Sequence, residues 1–260
     1  MENEKWLVIG EDLRLKELAT MLRSPSRTVF YKRTSVWNEE LNKLVLEFQP
    51  NRIILPILPL KIEVEQLYGI SQVKFYTGRL TMHWKQLLEK NETNCYLQQE
   101  SFIWQNARLT AEGFIATFYG LEQKCIYGQN FTIAGFGRTA KMLASLLVKM
   151  GANVHIVARS VVQVSEAKAY GYKATNLDDR KWSINDGIFI NTIPAKWITE
   201  SFLDHVPAVL YDLASEPGCL DIDTEQLQTY VLLPSLPGKY FAHDAATILC
   251  KAIEEEENCY

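Results

Sequence analysis

The sequence predicts an α/β protein built on a doubly wound parallel sheet, with a second, smaller α/β domain. Two observations carry this. Short apolar segments bounded by glycine, proline or polar residues alternate with helix-period segments along the whole chain. In addition, residues 130–160 (NFTIAGFGRTAKMLASLLVKMGANVHIVARS) read as strand, glycine turn, helix and strand in about thirty residues. The hydrophobic fraction of 47% and charged fraction of 22% are those of an ordinary globular protein, so a sizeable core is available to both sheets.

The elements follow in order. Trp6-Leu7-Val8-Ile9 reads as a buried strand ending on Gly10, and Leu13, Leu15, Leu18, Met21 and Leu22 repeat at helical spacing. Residues 28–31 predict a strand, 39–48 a helix and 52–56 (RIILP) another strand that Pro56 and Pro59 break. Residues 74–76 predict a further strand, followed by a helix carrying Trp84, Leu87 and Leu88. In VIGEDLR a lone glycine, followed by Glu11 and Asp12, predicts a plain βα turn; Asp12 and Arg14 are expected to face a cleft between the domains. A helix over 110–125 is expected, with Thr110 as N-cap, Glu112 as a first-turn acid and Phe114, Ile115, Phe118 and Leu121 as its apolar face. It leads straight into the glycine-turn strand and is expected to cross between domains.

In the central stretch Phe131, Ile133 and Ala134 run into Gly135-Phe136-Gly137; Leu143, Leu146, Leu147 and Met150 then repeat until Gly151, and Val154, Ile156 and Val157 form the next strand. This is the context of a dinucleotide-binding Rossmann turn. Gly135 permits the tight turn, Gly137 lets backbone approach a pyrophosphate, and Ala140 keeps helix and strand close. The anion would meet free N–H groups at the helix start, with Arg138 and Thr139 adding a charge and a hydroxyl. At the end of the second strand, where an acid would bind the 2′-hydroxyl of NAD, stands Arg159 with Ser160; a guanidinium suits a 2′-phosphate, so NADP(H) is expected ahead of NAD(H). The plainer readings are a βα turn of another α/β protein and a solvated arginine.

Beyond it, helix is expected over 161–169, then strands at 172–174, 188–190, 209–211 and 231–233, the last three running into NTIPA, DLAS and PSLPG; a closing helix over 242–256 is expected to return to the N-terminal domain. The expected division is 1–108, a substrate-side α/β domain, 109–239, the nucleotide domain, and 240–260, the returning helix. The acidic run Glu254–Glu257 reads as a solvated helix end.

A formal net charge of −4 and the lack of a dense basic tract speak against nucleic acid as a partner. Five scattered cysteines without C-x-x-C pairing fit reduced thiols better than a disulfide frame or a zinc site, and no metal is expected. A charged N-terminus without an apolar h-region, and no uncharged apolar run of about 18 residues, predict a cytoplasmic chain with no membrane span.

Five motifs in this order and spacing, TAEG at 110–113, GFGRT at 135–139, NTIPA at 191–195, DLASEPG at 212–218 and LPGK at 236–239, resemble the A-subunit family of bacterial dipicolinate synthases, relatives in fold of D-2-hydroxyacid dehydrogenases and adenosylhomocysteinases. The resemblance covers residues 100–253 and, more faintly, VIGEDLR and RIILPILP. It implies formation of dipicolinate during sporulation from a lysine-pathway dihydropyridine-type dicarboxylate, with a nicotinamide cofactor. It also implies a flavoprotein-like partner, the B subunit; a homo-oligomer is expected besides. Carried over by motif, Gly135, Phe136, Gly137, Arg138 and Thr139 would hold the cofactor phosphates and Arg159 and Ser160 its adenosine end. Asn191, Thr192, Ile193 and Pro194 would border the nicotinamide ribose; Asp212, Ser215, Leu236, Pro237 and Gly238 would lie where nicotinamide meets substrate. The chain departs from the pattern at Glu11, Leu15, Leu109, Ser235 and across 243–247.

Hydride chemistry also needs a proton-moving group and cations for carboxylates. Lys239 is expected to hold a substrate carboxylate, with Arg14 second; Glu112, Ser215 and His243 complete the substrate-side set, His243 as the candidate proton carrier. DLASEPG lacks an arginine, which argues against a plain 2-hydroxyacid oxidoreductase, and His155 and His205 read as structural. Hydrolase, metalloprotease and kinase motifs do not occur. Two classes stay open: an NADP(H)-dependent oxidoreductase acting on a small cyclic dicarboxylate or another imine or carbonyl compound, and a cofactor-binding, catalytically reduced paralogue in a binding or regulatory role.

Overall fold

A computed structural model describes residues 4–179, 187–201, 209–215, 217–223 and 230–258. They form two compact units, Met1–Asn106 with Pro237–Tyr260, and Ala107–Leu236. Each unit holds its own parallel sheet.

The first unit contains β1 (Glu4–Ile9), α1 (Leu13–Met21), β2 (Arg27–Lys32), β3 (Val36–Trp37), α2 (Glu39–Phe48), β4 (Arg52–Ile54), β5 (Lys61–Ile62), β6 (Lys74–Thr77), α3 (Met82–Leu87) and β7 (Thr93–Cys95). Its main sheet has the order β2-β1-β4-β6-β7, and β3 and β5 pair separately. Counted within that sheet the order is 2-1-3-4-5, a doubly wound arrangement whose switch point lies between β1 and β4. Trp6 to Ile9 are wholly buried because a strand in a parallel sheet is covered on both faces. Leu7, Ile9, Ile53 and Phe75 join Leu41 and Val45 of α2 and Trp84 of α3 in one core. Asn38 caps α2 by accepting from the Leu41 N–H at 3.1 Å, and Glu39 and Glu40 sit in its favourable first turn. The strands β3, β5 and β7, two or three residues each, are too short for any period to be read in the sequence.

The second unit contains β8 (Asn130–Ala134), α5 (Arg138–Lys149), β9 (Asn153–Ala158), α6 (Val161–Ala169), β10 (Lys173–Asn176), β11 (Ile188–Asn191), β12 (Leu210–Asp212) and β13 (Tyr230–Leu232). The strand order β10-β9-β8-β11-β12-β13, parallel throughout, is 3-2-1-4-5-6 when counted along the chain. One face is closed by Leu143 and Leu147 of α5 packed on Phe131, Ile133, Ile156 and Ile190. On the other face Val157, Phe189 and Leu210 pack with Trp197 and Leu220. His155 of β9 meets the Thr175 hydroxyl at 3.0 Å, and burial, helped by Lys173, pushes its pKa down to about 4. It is neutral at pH 7. His205 lies outside the described residues.

Helix α4 (Glu100–Glu122) and the short helix α7 (Leu236–Tyr240) are the segments in which the chain passes from one unit to the other. The expectation of a helix beginning at Thr110 needs correcting, because α4 starts ten residues earlier and Thr110 lies in its interior. Ala107 and Ala111 continue the three- and four-residue spacing of Phe114 and Phe118 upstream, but alanine registers weakly in a hydrophobic pattern. Glu112 is therefore no first-turn acid; it forms an i,i+4 ion pair with Arg108 at 2.9 Å on the helix surface.

α8 (Ala242–Asn258) packs along α1 in the first unit. The acidic run at its end is not simply solvated. Glu254 pairs with Arg27 at 3.4 Å, Glu256 accepts from Gln99 Nε2 at 2.9 Å, and Glu257 is held by Arg52 at 2.9 Å, Lys74 at 3.0 Å and the Tyr76 hydroxyl. Carboxylates at a helix C-terminus oppose its dipole. Here strand cations that the sequence does not place in space offset that cost. Among the described residues no helix is long and apolar enough to cross a membrane.

Candidate functional site

The strand order of the second unit reverses between β8 and β11, so the carboxyl ends of these two strands form the crevice where open α/β sheets take ligands. GFGRT follows β8 and NTIPA follows β11. Gly135 has φ +95°, and a Cβ there would stand 2.6 Å from Thr192 Oγ1 and 3.1 Å from Ile193 Cγ1. Thr192 in turn donates from both its N–H (3.0 Å) and its hydroxyl (2.7 Å) to the Ala134 carbonyl. The glycine turn and the β11 loop are thus locked together, and only a residue without a side chain fits the contact.

Gly137 is the N-cap of α5, with no side-chain cap on the helix, and a Cβ built on it would meet nothing within 4 Å. A helix N-terminus of twelve residues therefore opens onto free space at the switch point, the setting that suits a phosphate. Ala140, wholly buried, is the small residue at the helix–strand contact. Arg138 is exposed, and Thr139 partly so, in the first turn. Phe136 differs from expectation: its ring is buried against Tyr170 and Tyr172, with Lys141 Nζ 5.4 Å from its centroid, so only its backbone is available to a ligand.

At the end of β9 Arg159 is exposed, and its carbonyl accepts from Asn176 Nδ2 at 3.3 Å. Ser160 caps α6, accepting from the Gln163 N–H at 3.4 Å. The cation and the hydroxyl stand side by side at a strand end with no acid between them.

The far end of the switch point holds a buried polar cluster that the sequence does not reveal. Asn191 and Asp212 are 0% exposed. Asn191 Oδ1 accepts from the Ile193 N–H and Trp197 Nε1, both at 3.1 Å, while its Nδ2 donates to Asp212 Oδ1 at 2.7 Å and the Ile193 carbonyl at 3.1 Å. Asp212 accepts further bonds from the Ala214 N–H (3.0 Å), the Cys219 N–H (2.8 Å) and the Tyr230 hydroxyl (2.8 Å). Their role changes from the expected one: these side chains are used up inside the protein, so they shape the loops rather than line them. Leu236 is likewise a core residue, packed in the main cluster of this unit. Thr192, Ile193, Pro194 and Ser215 remain accessible to different degrees.

The substrate-side candidates divide. Arg14 is only 3% exposed; its Nε donates to Asp12 Oδ2 at 2.9 Å and Nη1 to Asn106 Oδ1 at 3.0 Å. Asp12 also caps α1 through the Arg14 N–H. A Cβ on Gly238 would fall 1.9 Å from Asp12 Oδ1, so the LPGK segment, which is helical rather than the expected turn, lies directly on the β1 turn within the first unit. Lys239 is exposed, with Nζ 5.2 Å from the Tyr240 ring centroid. His243 is 74% exposed, with Nδ1 4.0 Å from Glu17 Oε2.

No family model matches the chain. A curated protein, the A subunit of dipicolinate synthase from Bacillus subtilis (strain 168), is 30% identical over 163 residues, covering 61% of this chain and 55% of that protein. The chain thus spans about half the length of this curated relative. The crystal structure of the B. subtilis dipicolinate synthase A chain superposes with a TM-score of 0.76 at 20% identity, over 99% of this chain and 97% of that one. A phosphoglycerate oxidoreductase of Vibrio cholerae o395 gives 0.62 at 14% identity, over 98% of each. The chain is therefore similar in sequence to the dipicolinate synthase A subunit, and it shares a two-sheet, Rossmann-type fold with that protein and with the V. cholerae phosphoglycerate oxidoreductase.

Proposed function

We propose that the chain is an NADP(H)-dependent oxidoreductase of the dipicolinate synthase A-subunit type, acting on a small cyclic dicarboxylate. The observation that carries this is the Gly135–Gly137 turn at the switch point: a positive-φ glycine pressed on the β11 loop and an open helix N-terminus. The residues fit a dinucleotide. Backbone N–H groups at the start of α5 would hold the pyrophosphate, helped by Arg138 and Thr139. Arg159 would pair with a 2′-phosphate and Ser160 would hydrogen-bond beside it. Thr192, Ile193 and Pro194 would border the nicotinamide ribose and Ser215 the approach of substrate, with the buried Pro237 shaping the LPGK segment. The bound group would supply or accept hydride.

On the substrate side Lys239 is assigned to one carboxylate and Arg14, oriented by Asp12 and Asn106, to the other. His243, with Glu17 beside it, would carry the proton. By the same resemblance a flavoprotein-like B subunit as partner and a sporulation-linked role belong to this reading, beside the expected homo-oligomeric state and cytoplasmic location. NAD(H) is the second choice of cofactor.

One observation favours the alternative of a catalytically reduced, cofactor-binding paralogue. Ser235, at a departure from the family pattern where glycine is usual, has φ +53°, which disfavours an L side chain. Leu15, another departure, is wholly buried and adds no polar group. Turnover of a dihydropyridine dicarboxylate with normal cofactor binding would decide for the enzyme.

Fluorescence titration with NADPH and with NADH tests the core reading, and clear preference for NADPH is expected. Arg159→Ala should weaken NADPH by about 1.5–3 kcal/mol more than NADH, the value of a hydrogen bond to a charged group. Equal losses for both cofactors would remove the 2′-phosphate assignment.

A further inference from the structure

Asp212 is a carboxylate at the carboxyl end of β12, opposite Asn191 of β11 and Leu232 of β13. It is wholly buried, and the hydrogen bonds it accepts come from neutral groups of Asn191, Ala214, Cys219 and Tyr230. Its partners fix its charge. The Ala214 and Cys219 N–H groups can only donate. The Asn191 amide must also turn its NH2 toward Asp212, because its oxygen already accepts from the Ile193 N–H and the Trp197 indole. With the Tyr230 hydroxyl, four donors match the acceptor sites of an ionised carboxylate. Burial, followed by the nearby Asp212, pushes the pKa of both Cys219 and Tyr230 up and keeps them neutral donors. Among the described residues no counter-ion stands against it, and a buried anion satisfied by neutral dipoles keeps its field.

The place of this charge gives it a role. Each half of a 3-2-1-4-5-6 sheet takes one mononucleotide. The assignment of Gly135–Thr139 and Arg159 to the phosphates and the adenosine end leaves β11, β12 and β13 for the nicotinamide half. The oxidised nicotinamide ring carries a positive charge that the reduced ring lacks. We propose that Asp212 is an electrostatic positioning residue that makes the site hold the oxidised cofactor more tightly than the reduced one, so that reduced cofactor is the form released. This rests on the nucleotide-binding reading above.

The test is separate titration of NADP+ and NADPH into the full-length wild type, Asp212→Asn and Tyr230→Phe. The wild type should bind NADP+ more tightly than NADPH. Asp212→Asn should lower the ratio Kd(NADPH)/Kd(NADP+) by about tenfold, an upward shift of about 30 mV in the potential of the bound two-electron couple. Tyr230→Phe keeps the charge and should leave the ratio equal or larger, which preserves the test if Asp212→Asn fails to fold. Tighter binding of NADPH by the wild type, equal weakening of both forms in Asp212→Asn, or a lowered ratio in Tyr230→Phe would overturn the proposal. Binding of neither form by the wild type would overturn the nucleotide reading itself and this inference with it.

Discussion

Gly135→Ala is expected to abolish measurable dinucleotide binding and to lower stability by about 2–6 kcal/mol. Two costs combine. At φ +95° an L residue carries backbone strain of about 1–3 kcal/mol. The new methyl group would also stand 2.6 Å from Thr192 Oγ1 and 3.1 Å from Ile193 Cγ1, an overpacking cost of about 1–3 kcal/mol. Relief requires the β11 loop to move, and that loop is tied to Ala134 by both Thr192 donors and to the buried Asn191. The effect on binding should therefore exceed what the loss of stability explains. Thermal unfolding together with NADPH titration at about 10 °C below the variant's midpoint separates the two. Retained NADPH affinity in a folded Gly135→Ala protein would show that this turn does not face the cofactor. Gly137→Ala is the internal control, since a Cβ there meets nothing within the protein; it should fold normally and lose affinity only by crowding the phosphate.

The second unit was the more legible part of the sequence, and the reason is physical. Its central strands β11 and β12 are buried along their whole length, and α5 shows a clear amphipathic period, with Leu143 and Leu147 on its buried face. Helices α2 and α6 span Glu39–Phe48 and Val161–Ala169, the bounds read from the sequence. What could not be read was set by tertiary contact. The early start of α4 depends on alanines that matter only once Phe131 and Tyr211 are packed against the helix. The short helix α7 contains proline and glycine, which read locally as a turn; Gly238 owes its position to the close approach of Asp12.

The candidate site was legible to a similar, uneven degree. Gly135, Gly137 and Arg159 act through backbone geometry and formal charge, and both are written in residue type and spacing. Asn191 and Asp212 illustrate the opposite case. A polar residue at the end of a strand reads the same whether it lines a pocket or is buried beneath it. Only the directions of seven hydrogen bonds show that these two side chains bind each other and the loops. Arg14 was similarly ambiguous. Its charge suggested a ligand contact, whereas its burial and its bonds to Asp12 and Asn106 show a side chain already oriented by the protein.

The cluster around Glu257 yields the second large effect. The side chain is 14% exposed and joins two strand cations that lie side by side, since Arg52 and Lys74 are register partners. Arg52 also stacks over Trp6 and Lys74 over Tyr76. Removing the acid leaves Arg52 with Glu4 at 3.5 Å and Lys74 with Glu92 at 3.0 Å, so Glu257→Ala should cost about 1–3 kcal/mol, below the range for a buried charge left with no partner. Glu257→Gln, which keeps the shape and some hydrogen bonding, should lose less. The pH dependence has a definite sign. Burial alone would raise the pKa of Glu257, but hydrogen bonds from Arg52 and Lys74 outweigh it and hold the group below the ordinary carboxylate value. Its contribution is therefore fully present above the unfolded pKa of about 4.3 and is lost as pH falls through the lower folded value. Lys74 shifts the other way: burial opposes its charge, yet the bonds to Glu257 and Glu92 raise its pKa, so its share is present below about pH 10.4 and lost as pH rises through the higher folded value. Urea unfolding of wild type and Glu257→Gln should show a constant difference from about pH 6 to 8 that shrinks toward zero below about pH 4. A difference that persists unchanged at about pH 3 would mean that packing of α8, rather than the ion cluster, accounts for the effect.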